Sequence, residues 1–433
     1  TDVAQSVKVN NPSVHTTAVF EDGLTVADPT GLFTLNDTVE IKEILPGKAY
    51  LVKGILMDKA TGEPLLVHGN TVETSVGFIA KAENETVIVP FTFDLTGLNG
   101  REIVVFESLF RNDEELANHK DLNDKGQTVR ITNPAIGTKA TDKETGLQVI
   151  DPLTVVTITD AVSYHDLIVG KTYTVNGILM DKETEEPVLV DDKEITSTLT
   201  FVAESTDGTV NLDFILDARA LRGKEVVVFE GLFREGVRLA SHADITDKDQ
   251  TIKIVNPTIT TKATNANGGK EILALPNQTV LEWVKVDGLA IGQIYQLIVQ
   301  GYLTPDGTPF EGTHAEKVFT ADKETMEFLF EFLVDGRNLA GKGLSFAEWL
   351  QAKTEDEKEP FEEVAKHNVD LTNKDQTVQF VEAPKPPQPV KAASVVPMLP
   401  KTGSEDNSIW IIIGLIFVLA ASLIGYDLYK VKD

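Results

Sequence analysis

Thr154-Val155-Val156-Thr157-Ile158-Thr159 and Lys224-Glu225-Val226-Val227-Val228-Phe229 are short runs dominated by β-branched side chains and bounded by Gly, Pro, Asn and Asp, which is the composition of strands and turns. Between them the chain repeats one further device. Gly54-Ile55-Leu56-Met57-Asp58-Lys59 and Gly177-Ile178-Leu179-Met180-Asp181-Lys182 each run into a Glu-Pro turn and then a second apolar stretch, Leu65-Leu66-Val67 or Val188-Leu189-Val190, as hairpins do. No helical heptad is long enough to compete. The pattern predicts an all-β chain of sandwiches of immunoglobulin-like size.

At 433 residues the chain is too long for one core and suits about three domains. Asn11-Pro12, Asn133-Pro134 and Asn256-Pro257 open three units, and Thr128-Val129-Arg130-Ile131, Thr251-Ile252-Lys253-Ile254 and Thr377-Val378-Gln379-Phe380 close them. These marks place domains at 10–132, 133–255 and 256–383. Residues 384–398 follow, with prolines at 384, 386, 387, 389 and 397, a composition that favours extended polyproline conformation and a semi-rigid spacer.

A widely spaced set of reactive side chains recurs with each unit. The first holds Thr16, Glu107, His119, Asp124 and Gln127, and the second Thr138, Glu230, His242, Asp247 and Gln250. The third reads Thr261, Glu348, His367, Asn373 and Gln376. Each Thr opens its domain's first strand and each Gln begins its last, so in a sandwich the two strands can lie side by side. A hydroxyl facing a carboxamide there can attack its carbon, expel ammonia and leave a side-chain ester. An unactivated Thr needs a base, for which the His is the candidate. An acid on the second strand, Asp37, Asp160 or Glu282, is placed to orient that His, giving the logic of a hydrolytic triad. Glu107 with Asp124, and Glu230 with Asp247, are expected to hold a shared proton against the amide oxygen. Proximity within a folded domain supplies an effective molarity of roughly 10⁵ M or more, so no substrate-binding machinery is required.

These motifs, Val104-Val105-Phe106-Glu107 with the His119 to Thr128 stretch and their second-copy counterparts, resemble the Thr-Gln ester-bond domains, or VaFE repeats, of Gram-positive adhesin stalks. The resemblance covers nearly all of residues 10–382. It implies esters from Thr16 to Gln127 and from Thr138 to Gln250, with His, Asp and Glu assisting, and by extension from Thr261 to Gln376. The third copy departs from the pattern: Asn373 replaces the Asp, Glu282 the orienting Asp, and Leu344-Ser345-Phe346-Ala347-Glu348 the Val-rich run. Losing the second acid removes the expected shared proton.

There is no cysteine, so neither disulfides nor Cys-based metal sites are available. A formal charge of −28 argues against nucleic acid as a partner. No His cluster has metal-ligand spacing, no motif calls for a cofactor, and His15, His68, His165 and His314 do not recur and read as surface residues. The acidic stretch from Thr354 to Glu359 lacks EF-hand spacing and reads as a solvated loop.

Near the end, Leu399-Pro400-Lys401-Thr402-Gly403 precedes an apolar run over 408–426, close to the roughly 20 residues that span a bilayer. Lys430 and Lys432 follow, diluted by Asp427 and Asp433. The order of residues 399–433 resembles the sorting signal of Gram-positive surface proteins. That resemblance implies that a sortase cuts after Thr402 and joins the new carboxyl end to peptidoglycan, leaving a secreted, wall-anchored protein whose precursor is membrane-held. Export requires a leader, and none precedes Thr1, so the sequence reads as a processed or truncated stretch whose upstream region meets a host ligand.

The expected function is thus a non-enzymatic stalk stiffened by single-turnover cross-links. Lys-Asn isopeptide bonds are the close rival, but Lys139 and Lys262 follow the key Thr only in copies two and three, where copy one has Thr17. A secreted hydrolase would leave the recurring Gln unexplained. Domains that themselves bind host ligand remain open, although no aromatic cluster or lectin-like motif names one; a pilus subunit is disfavoured by the absence of a Tyr-Pro-Lys motif.

Overall fold

The computed structural model describes residues 9–354 and 358–384. The spacer beyond 384, the 399–403 pentapeptide and the 408–426 run lie outside the described residues. The described part belongs almost entirely to one compact unit, residues 1–383, and is all-β, built of three repeated sandwiches.

In the first sandwich a three-stranded sheet joins β1 (Ser13–Phe20), β3 (Leu32–Lys42) and β8 (Glu85–Asp94) in the order β1-β3-β8. Facing it, a six-stranded sheet runs β2 (Val26–Ala27), β11 (Thr128–Ile131), β9 (Glu102–Arg111), β4 (Ala49–Asp58) and β7 (Glu73–Ile79), with β10 (Glu114–His119) also paired to β9. β5 (Leu66–Val67) and β6 (Asn70–Thr71) form a small separate hairpin. The other two domains repeat both sheets. In the third, one long strand, Thr308–Thr320, stands in place of β5 to β7.

The period-two alternation read from sequence sets the two faces. Leu35, Val39 and Ile41 of β3, Val52 and Leu56 of β4 and Leu109 of β9 point between the sheets and are fully or almost fully buried. Each such side chain stabilises the sandwich by about 1.5–3 kcal/mol. Four inward positions break the apolar rule: Thr16, Asp37, Glu107 and Gln127 have 1%, 0%, 0% and 0% exposure. The same alternation turns Lys139 and Lys262 outward to solvent, away from the Thr that each follows.

The domains meet through built polar contacts. Asp28, wholly buried at the end of the first sandwich, accepts a hydrogen bond from the Tyr173 hydroxyl of the second at 2.7 Å and pairs with the buried Arg234. At the next junction the Tyr295 hydroxyl lies 2.8 Å from Asp151 of the domain before. The apolar cores of the second and third domains run together as one cluster, whereas that of the first is separate.

Opposite Glu107 in the β4–β9 register stands Gly54. A Cβ there would come 2.5 Å from Cζ of the buried Phe91, and at the equivalent Gly177 it would come 2.6 Å from Cζ of Phe214. Glycine at this place lets an aromatic ring close over the neighbourhood of the buried acid. Gly54→Ala is therefore expected to destabilise the first domain by about 1–3 kcal/mol through overpacking, read as a lower denaturant midpoint; an unchanged midpoint would show that Phe91 yields freely.

Candidate functional site

Thr16 and Gln127 approach each other by an arrangement the sequence does not specify. β1 and β11 belong to different sheets rather than lying side by side, so the expected strand pairing is not what joins them. Contact comes where the Ala18 amide donates to the Gly126 carbonyl at 2.9 Å, splicing the edge of the small sheet to the loop that precedes β11. Ala140 with Asp249 and Ala263 with Asp375 repeat this splice at 2.9 and 3.0 Å. The Gln side chain thereby enters the core directly beneath the inward-facing Thr.

Glu107 and His119 are register partners across the β9–β10 hairpin, as are Glu230 with His242 and Glu348 with His367. This explains why the Glu-to-His interval recurs exactly in the first two domains. It also explains how the third tolerates its acidic insert, since extra residues at the hairpin end leave the pairing at its base unchanged.

In the first domain Gln127 Nε2 donates to Thr16 Oγ1 at 2.6 Å and to Glu107 Oε2 at 2.7 Å, while Thr16 Oγ1 donates to the same carboxyl oxygen at 3.2 Å. The second domain repeats the two Gln contacts, on Thr138 and at 2.6 Å on Glu230. There Thr138 Oγ1 also stands 3.2 Å from His242 Nδ1, the direction in which its proton must leave. The ring's other nitrogen is 3.0 Å from Asp247 Oδ2, matching His119 Nε2 to Asp124 Oδ2 at 2.9 Å.

The two acids of each set therefore exchange the roles expected of them. Asp124 and Asp247 hold the His, and the pairs that face each other in the core are Asp37 with Glu107 and Asp160 with Glu230. Burial, reinforced by the neighbouring Asp, pushes Glu107 and Glu230 up to about 10, and burial raises Asp37 and Asp160 too. Both oxygens of each Asp and Oε1 of each Glu have no conventional donor. The pair satisfies itself only when one carboxyl keeps a proton and gives it to the other. The exchange follows from placement: Asp37 faces inward between Leu35 and Val39 toward Glu107, whereas Asp124, on the loop after β10, reaches Nε2 of His119.

The third domain has the parts in a different arrangement. His367 Nδ1 lies 3.4 Å from Thr261 Oγ1 but 2.8 Å from Glu348 Oε2, and both its ring nitrogens are 2.6 Å from Gln376 Nε2. Asp124 and Asp247 each spend one oxygen on the turn, accepting from Gly126 N and Asp249 N, and keep the other for His. Asn373 spends its single oxygen on Asp375 N at 2.9 Å, leaving only an NH₂ to offer. Glu282 and Glu348 are both raised by burial.

The model of the T-Q ester bond containing domain matches residues 12–131, 134–254 and 257–380. The chain belongs to this family. No curated protein matches the sequence. Among solved structures, a bacterial adhesin from Mobiluncus mulieris containing intramolecular disulfide, isopeptide and ester bond cross-links is similar at 13% identity, over 60% of this chain and 88% of that one, with a TM-score of 0.27. A putative β-galactosidase from Bacteroides fragilis overlaps 59% of this chain and 36% of its own at 11% identity and a TM-score of 0.21.

Around these three T-Q sites one side chain goes beyond its sequence reading. His15 is exposed but its ring stacks on His119 at 5.4 Å, and with Asp124 the two present ligand-type atoms within 4.8 Å of one another. Sequence spacing gives no hint of this grouping, because adjacency across β1 and β10 brings it about. It is confined to the first T-Q domain, since Gly137 and Thr260 occupy the place of His15 in the others. His68, His165 and His314 are exposed.

The raised acids have a consequence for stability. A carboxyl whose folded value lies above its unfolded one binds more protons when folded, so its contribution is fully present below the unfolded value near 4.5 and lost as pH rises through about 10. A chain kept unlinked by Thr16→Ala, Thr138→Ala and Thr261→Ala should melt at progressively lower temperature across that window. Adding Glu230→Gln should flatten the slope for the second domain, and a slope that survives the change would mean that Glu230 is ionised in the fold.

Proposed function

We propose that each T-Q domain closes its own ester and that the chain serves as a covalently stiffened stalk of a Gram-positive surface adhesin. The observation that carries this reading is the buried contact of Gln127 Nε2 with Thr16 Oγ1 at 2.6 Å, repeated by Gln250 on Thr138, inside a core that holds a proton-sharing carboxyl pair. In the second domain the Thr138 proton passes to His242 Nδ1, Oγ1 bonds to the Gln250 carboxamide carbon, and the carbon–nitrogen bond breaks. The departing NH₂ takes up a proton and leaves as ammonia, so the atoms balance. Asp247 fixes the imidazole with its proton on Nε2 and stabilises the imidazolium. Turning the carboxamide over brings its oxygen to the Glu230 carboxyl, whose retained proton then meets the growing negative charge.

Because Thr16 and Gln127 lie 111 residues apart in sequence, an ester between them closes nearly the whole domain into a ring. Chain-entropy arguments of the kind used for disulfides give about 5 kcal/mol for a loop of that size. Outward-facing Lys139 and Lys262 support Thr rather than Lys as nucleophile. Anchoring rests on residues 399–433 alone: a sortase would cut after Thr402 and pass the chain to peptidoglycan, and an upstream region would meet the host ligand.

Intact mass of the purified chain should fall by one ammonia per bond, and hydroxylamine under denaturing conditions should open the links, as it would not open an isopeptide. Thr138→Ala should regain one ammonia and lose up to about 5 kcal/mol of second-domain stability; an unmodified mass in the wild-type chain would refute the reading.

The third bond should form last. With no carboxylate at 373 to hold the ring as Asp124 and Asp247 do, His367 Nδ1 sits 2.8 Å from Glu348 Oε2 and 3.4 Å from Thr261 Oγ1, engaged with the acid rather than with the hydroxyl whose proton it should take. Freshly folded protein should therefore lose two ammonias before the third, and Asn373→Asp should bring the third forward. Three losses at one rate in the wild-type chain would sink this ordering.

A further inference from the structure

The second domain receives the first through four side chains at one end of its sandwich. Asp166 takes Arg130 at 2.8 Å, Lys171 reaches Asp22 at 2.8 Å, and Tyr173 and Arg234 together hold the buried Asp28. The first domain carries an equivalent set at the corresponding places, with Glu43 for Asp166 and then Lys48, Tyr50 and Arg111.

The correspondence extends to detail. Glu43 and Asp166 both adopt left-handed backbone, with φ of 56° and 58°. The Tyr50 hydroxyl accepts the Leu45 amide at 2.8 Å as the Tyr173 hydroxyl accepts that of Ile168 at 2.9 Å. Arg111 lies over the Tyr50 ring at 5.9 Å, and Arg234 over Tyr173 at 5.8 Å.

What differs is cover. Among the described residues Lys48 and Arg111 make no ion pair, and the Tyr50 hydroxyl has no acceptor. Leu45 is 41% exposed, whereas its counterparts Ile168 and Ala290, each beneath a preceding domain, are 7% and 0% exposed. An apolar side chain ringed by one acid, two cations and a phenol is the receiving half of a junction the chain itself builds elsewhere.

We propose that this end of the first domain is a docking face for the far end of another sandwich of the same build. That partner presents a buried Asp after its short parallel strand, a cation on its last strand and an acid on the turn after its first. A second copy of this chain does not qualify. Asp28 and Asp151 are engaged within the chain, and the third domain carries Leu273, 39% exposed, where the Asp would stand.

The test extends the full chain with a repeat of residues 11–132 placed before Asn11, so that Thr132 meets Asn11-Pro12 as it naturally meets Asn133-Pro134. Amide hydrogen exchange at Leu45 is the readout, with Ile168 as internal reference. Docking should slow Leu45 exchange by about tenfold or more relative to the unextended chain. Asp28→Leu in the added copy alone should reverse this, as should Arg111→Ala, which leaves the Tyr50–Leu45 bond in place. Equal exchange at Leu45 in the two chains would overturn the proposal. So would protection in the unextended chain that grows with its concentration, because the occupant would then be a second copy.

Discussion

Two carboxyl groups facing each other in an apolar core are the constraint around which each domain is built. Asp37 with Glu107, and Asp160 with Glu230, sit where the alternation calls for Val or Leu, and neither pair has another charge buried with it to neutralise both members. Leaving both ionised there would cost several kcal/mol, so the fold must keep at least one proton on the pair. That requirement is opposed to stability above pH 4.5 and in favour of chemistry, because a carboxyl that stays neutral at pH 7 is a donor aimed at an amide. The surrounding aromatic and aliphatic packing, Phe91 over Gly54 among it, keeps water from relieving the strain of burial.

The product of that chemistry is placed where mechanics needs it. β1 leads the chain into the small sheet and β11 leads it out of the large one, so a bond from Thr16 to Gln127 ties the two sheets at the points where a pulling force enters and leaves. Hydrogen bonds at the splice, such as Ala18 to Gly126, would otherwise carry the load alone. An unlinked domain bears the cost of its buried acids, and a linked one gains about 5 kcal/mol of ring closure against it.

Much of this is legible in the chain. β-branched alternation marks the strands, Asn-Pro marks the domain starts, and the Glu-to-His interval reflects a hairpin register. Side-chain partnership is less legible. Which acid meets His119 depends on Asp37 facing inward from β3 and Asp124 lying on the β10–β11 loop, and both recur as Asp in the second copy, as Asp160 and Asp247. The assignment requires the third dimension. The same holds for the sheets joined at Thr16 and Gln127, and for His15, brought to His119 by neighbouring strands rather than by spacing.

The junctions follow a rule that the third domain breaks on both sides. Asp151 meets Tyr295 as Asp28 meets Tyr173, but Ala352 stands where Arg234 would. Without that guanidinium, burial pushes Asp151 up to about 7, while the Tyr hydroxyl and the more distant Arg222 only partly oppose it. A carboxyl of this kind holds the junction without a buried ion pair, and the continuous apolar core of the second and third domains takes over part of the work. The third domain has therefore relaxed three polar devices at once: the Asp beside its His, the Arg beneath its Tyr and the Asp that would reach forward. Each loss removes directionality from a hydrogen bond while leaving the β-sandwich register intact. The polar network is the separable layer of this fold, and the strand pairing beneath it is what all three copies keep.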